Sequence, residues 1–184
     1  MAGRLGSLTP RRALLAAAAL AAAAVAAYLL LLRDTEAEPR LVSSEPAAAI
    51  GSGEQAVAVS ADGRLLAWLP PPGEGSLPAL PLEAPPEAGR LRGPALAQAR
   101  VLGAVPAALL PYVDGSRYGE SGVTVELDSG IELRFGDAGQ ARRKWRAAAA
   151  VLADPSITAL DYVDVLVPSH PAVGGSGHAL PPLP

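Results

Sequence analysis

The chain has 184 residues, a formal net charge of −3, no cysteine and two histidines. That length suits one modest domain plus appendages, and the weak acidity argues against the basic surface that nucleic-acid binding needs. The absence of cysteine excludes disulfides and thiolate metal sites, while a core rich in alanine with one phenylalanine must be built from small side chains.

Residues 13–32 are twenty uncharged positions dominated by alanine and leucine. As a helix they span roughly 30 Å, the hydrocarbon thickness of a bilayer. Arg4, Arg11 and Arg12 precede the run and only Arg33 follows closely, so Arg11 and Arg12 are the orienting residues. The bias places the N-terminus in the cytoplasm and the rest of the chain outside it, in a single-pass membrane protein. A cleaved signal read through the twin arginines is the alternative, but the cleavable apolar region is ordinarily only about 7–15 residues long.

Residues 33–55 are polar and aperiodic and read as a tether. "AVAVSADGRLLAWL" predicts a hairpin turning through Ala61-Asp62-Gly63. Between Pro70 and Pro86 seven prolines suggest a surface loop, in which Pro78 and Pro81 form a PxxP. Gly93 to Leu110 predicts a helix, ended or kinked near Pro106.

"GVTVELDSGIELRFG" carries the clearest local signal. A common apolar face needs Leu127 opposite Ile131 and Val123 opposite Phe135, hence the three-residue loop Asp128-Ser129-Gly130 with positive φ at Gly130. This register sets Glu126 against Glu132. Asp137 and Gln140 fit a capping box for a helix with an apolar stripe at Ala141, Trp145, Ala148, Ala149 and Leu152. Arg142, Arg143, Lys144 and Arg146 read as a solvated face. A last long strand is expected over 157–168, followed by a disordered tail.

No P-loop, GxSxG, HExxH or CxxC pattern is present. Ser169 and His170 are adjacent and should point apart, and Asp161 and Asp164 should lie on opposite strand faces. The expectation is a protein that is not an enzyme, with no cofactor, metal, nucleic acid or small-molecule substrate.

The run "GVTVELDSGIELRFGDAGQARRKWRAAAAVLADP" and the ending "YVDVLVPSHPAVGG" resemble the bacterial cell-division family FtsQ, called DivIB in other lineages. Glu45-Pro46-Ala47 followed by "AVAVSADGRLLAWLP" is similar to that family's entry into its β domain, and Lys144 matches a recurrent lysine. The resemblance departs at one place: the POTRA domain usual in the family has no room in residues 33–55. It implies a non-enzymatic divisome scaffold that binds FtsB- and FtsL-like single-pass proteins by β-augmentation at its last strand. The implied partner-binding residues are Tyr162, Val163, Val165, Val167, Ser169 and Val173. A generic anchored or secreted cell-envelope binding module is the alternative reading.

The combined expectation is an α+β protein: a single transmembrane helix, then a small mixed or antiparallel sheet with two helices. Its divisions are a cytoplasmic tail (1–12), the membrane helix (13–32), a juxtamembrane linker (33–55), an extracytoplasmic β domain (56–174) and the tail (175–184).

Overall fold

The computed structural model describes residues 45–182. Eight strands form one mixed sheet in the order β2-β1-β3-β4-β5-β6-β7-β8. They are β1 (Pro46–Ile50), β2 (Val57–Ser60), β3 (Ala79–Leu80), β4 (Val113–Gly119), β5 (Gly122–Leu127), β6 (Glu132–Gly136), β7 (Ala159–Asp164) and β8 (Ala172–Ala179). Two helices, α1 (Gly93–Leu102) and α2 (Ala141–Leu152), pack against the sheet through one continuous apolar core.

This corrects the expected fold class. The sheet is not small, and among the described residues no helix is long and apolar enough to cross a membrane. The predicted span at 13–32, with Arg11 and Arg12, lies outside the described residues. Two further strands sit where a linker and a loop were expected, and a third, β4, lies in a stretch without a predicted element. β1 lies inside the predicted linker and pairs antiparallel with β2 and parallel with β3. β3 comes from the proline-rich run. Prolines cannot donate to a ladder, but Pro78 and Pro81 merely flank the two paired residues, and Pro78 O still accepts the Ala49 N–H at 2.9 Å. β4 was hidden because "VDGSRYGESG" is dense in turn-forming residues. Its Gly115 is needed there, since a Cβ would come within 3.0 Å of Ala79 O on β3.

The β5–β6 hairpin follows the expected register from Glu126↔Glu132 to Thr124↔Arg134, and then a bulge sets Val123 opposite Gly136 instead of Phe135. Gly130 has φ +90 and its N–H donates to Leu127 O at 2.8 Å, as the loop length requires. α1 stops at Leu102, short of Pro106. The capping box does not form at α2. Gln140 sits in the left-handed region with φ 53, and Asp137 Oδ1 instead accepts the Gly139 N–H at 2.9 Å and the Lys144 ammonium at 2.7 Å.

Lys144 is buried, not solvated, because its stem runs along the core and its ammonium also reaches Phe135 O and Asp137 O at 2.8 and 3.0 Å. Trp145 is fully buried. Its Nε1 donates at 2.8 Å to Val101 O, which also accepts the Ala104 N–H at 3.1 Å, and so ties the two helices together. The sheet face away from the helices carries a polar row. Arg117 bridges Glu126 and Glu132, Arg134 joins Glu132, and the Arg134 guanidinium stacks 3.9 Å above the Tyr162 ring.

Candidate functional site

The two ends of the sheet differ. Outside β2, the chain folds back on itself: Leu66 N donates to Ala58 O at 2.8 Å, Ser60 N to Arg64 O at 3.0 Å, and Leu65 bridges Val59. That edge is covered. At the other end β8 pairs with β7, and among the described residues no strand pairs with its outer side.

The expected docking strand, 157–168, is therefore an inner strand, and the edge has moved outward by one. The segment read as a disordered tail is strand as far as Ala179. Beyond it Pro181 is buried and Tyr112 Oη donates to Pro182 O at 2.7 Å. The placement of the expected partner-binding residues changes accordingly. Val163 and Val165 are fully buried against the helices and closed to any partner. Tyr162 lies half-buried on the opposite face, its ring flat against Gly174, where an added Cβ would meet ring atoms at 2.7 Å. Val167 and Ser169 are exposed in the loop between β7 and β8, with Leu166 beside them. Val173 is on β8 itself, 43% exposed. Ser169 and His170 do not point apart: Ser169 Oγ and His170 Nδ1 are 3.0 Å apart on this exposed loop.

The direction of the backbone groups follows from one hydrogen bond. Val165 N donates to Arg134 O on β6 at 3.0 Å. Amides and carbonyls alternate sides along a strand, so Val163 also faces β6, while Tyr162 and Asp164 face β8. Their partners Gly174 and Ala172 then face β7, and Val173 turns its N–H and C=O outward. An unpaired donor and acceptor beside an exposed apolar side chain form a template for strand addition.

The residues whose structural role the sequence did not show are Asp161, weighed only as a partner for Asp164, and Gly174, Gly175 and Gly177. Opposite Asp161 the β8 strand bulges, because His178 pairs with Leu160 while Gly174 pairs with Tyr162. Gly177 N donates to Asp161 Oδ1 at 2.6 Å, and a Cβ at Gly175 would overlap the same carboxylate. Gly175 also has φ +79. "GGSG" reads as a flexible run, whereas two of its glycines make room for this carboxylate and one for the Tyr162 ring. The signal present in the sequence was the glycine run itself, since glycine within a strand often marks a bulge or a close approach.

Elsewhere, an acidic depression is lined by Asp114, Glu126, Asp128 and Glu132. Among the described residues no group of three or more His, Cys, Asp or Glu is arranged to hold a metal ion. Glu132 is held below the usual glutamate range: burial pushes its carboxyl up, but the Arg117 and Arg134 guanidinium hydrogen bonds and charges outweigh it. No family model matches this chain, and no curated protein matches it in sequence.

Proposed function

We propose that this chain is a non-enzymatic scaffold of the bacterial division machinery. Its β domain works outside the cytoplasm and accepts an extended segment of another division protein, of the FtsB or FtsL kind, on the outer edge of β8. The observation that carries this reading is the outward-facing N–H and C=O of Val173 on an uncovered edge strand. Exposed Val167 and Leu166 lie in the loop that leads into it. The division context comes from the resemblance to FtsQ, which is carried by the entry at Glu45-Pro46-Ala47 and the run after it, the β5–β6 hairpin, α2 and the ending as far as Gly175.

The edge is tested by proline. Proline at a position whose N–H faces solvent removes a donor without opening the sheet. Val173→Pro should leave the circular dichroism spectrum and cooperative unfolding in place while abolishing co-purification with the FtsB-like protein of the same cell. Val173→Thr, which keeps the N–H, should retain it. Val165→Pro is unsuitable, because it would break the bond to Arg134 O inside the sheet. The division role is tested by depletion, which should block septation and give long or branched cells. Normal septa after clean deletion, or unchanged binding by folded Val173→Pro, would sink the respective half of the proposal.

A further inference from the structure

The outer edge of β8 is not open along its whole length. Beyond Gly174 the strand enters the bulge that surrounds Asp161, so three residues of β8 (Gly175, Ser176 and Gly177) stand against one of β7. The carboxylate holds this bulge in shape through the Gly177 N–H at 2.6 Å, and side chains at Gly175 or Gly177 would collide with it. Bulged residues leave the regular spacing of edge donors and acceptors, so an added strand cannot keep its ladder across them. On the other side Pro171 immediately precedes the strand and has no N–H to offer. The regular docking edge thus shrinks to Ala172, Val173 and Gly174, with Val173 as the one residue that can both donate and accept outward.

We infer that the Asp161-filled bulge and Pro171 together limit strand addition to a window centred on Val173, and so fix the register of the docked segment. This rests on the docking reading above and specifies its partner. The segment that fits is short, extended and pairs directly with Val173 through its own N–H and C=O. Cross-strand partners share a face, so its residue opposite Val173 is apolar, lying on the side where Val163 and α2 form the core. A long regular strand is rejected, which also disfavours edge-to-edge pairing of two copies of this chain.

The test is site-specific photo-crosslinking of the full chain in its own cells, with a short diazirine side chain placed in turn at Ala172, Ser176 and Ala179. All three are exposed positions on β8. The expected result is an adduct with a second, different protein at Ala172, its loss in the Val173→Pro background, and no adduct with that protein at Ser176 or Ala179. Adducts of equal strength at all three positions would mean that the partner strand runs past the bulge; the window would then be wrong while docking at β8 survives. Adducts of this chain with itself would overturn the window and point to self-pairing. No adduct at any position would remove both the window and the docking reading.

Discussion

Asp161 and Gly177 meet across the bulge between β7 and β8, the carboxylate Oδ1 accepting the glycine N–H at 2.6 Å. The bond is exposed, so its contribution is that of a single charge-assisted hydrogen bond discounted by water, about 1 kcal/mol. Asp161→Ala should therefore leave the domain folded and speed amide exchange at Gly177, with the β5–β6 amides unchanged. Gly175→Ala should cost more, because it adds a collision with Asp161 to a positive φ that L-residues adopt at roughly 1–2 kcal/mol. Equal protection of Gly177 in the Asp161 variant would show that the carboxylate does not hold the bulge.

How much of this was legible in the sequence depends on where each residue's pairing partner lies. The β5–β6 hairpin was readable near its turn, because its alternation and its Gly130 turn are local and fix the register as far as Thr124 and Arg134; the bulge that moves Val123 from Phe135 to Gly136 left no local signal. The α2 stripe was readable for the same reason, with Trp145 and Leu152 where the period puts them. β3 and β4 were not, since Ala79 and Gly115 are paired by tertiary contacts that override weak local preference. β8 was hidden most deeply: its glycines look like a linker until the Tyr162 ring and the Asp161 carboxylate that require them are in place. Missing β8 put the docking edge on Val163 and Val165, which belong to the core.

Lys144 should matter to stability far more than its basic neighbours. Its ammonium is buried and bonded to Phe135 O, Asp137 O and Asp137 Oδ1. Lys144→Met keeps the stem's packing but leaves Phe135 O without this donor, an expected loss of about 2–3 kcal/mol in denaturant unfolding. Arg143→Ala, on the exposed side of the same helix, should change stability by no more than about 0.5 kcal/mol. Similar effects for the two variants would contradict the buried-lysine account.

The same pair gives a pH signature. The Lys144 ammonium and the Gly139 N–H hold the Asp137 carboxyl below its ordinary value. A carboxylate with a depressed folded-state pKa binds fewer protons than in the unfolded chain, so its stabilisation is present at neutral pH. It is lost as pH falls below the unfolded value of about 3.9 and through the folded one. The Asp137 side chain is largely exposed, so the effect is small. Stability of Asp137→Asn should fall less steeply than wild type on acidification below about pH 4; parallel curves would remove this residue from the acid response.

Arg117 resolves the repulsion that the β5–β6 register creates. Its Nε donates to Glu126 Oε1 at 2.8 Å and its Nη2 to Glu132, so one guanidinium sits between two facing carboxylates. Arg117→Ala should leave two like charges opposed across the ladder and cost about 1 kcal/mol, more at low salt than at high salt. Glu126→Gln added to Arg117→Ala should recover most of that loss, because it removes the repulsion without restoring the bridge. A double variant no better than the single one would mean that Arg117 acts by packing its stem, not by charge.

The two tryptophans report on opposite parts of the molecule. Trp145 is fully buried, 4.9 Å from the Phe135 ring centre, while Trp68 is 63% exposed. Acrylamide should quench the Trp68 component of the emission readily and leave a blue-shifted, protected component. Trp68→Phe should abolish the quenchable component and leave stability within about 0.5 kcal/mol of wild type. Trp145→Phe should remove the protected component and cost more than burial area alone suggests, because the Val101 carbonyl loses its indole donor while a cavity opens beside Phe135. Trp145→Ala should lose about 3–5 kcal/mol, a large share of the stability of an ordinary domain. If Trp145→Phe unfolded at the wild-type denaturant midpoint, the tie between α1 and α2 through Val101 would carry no weight in holding the helices on the sheet.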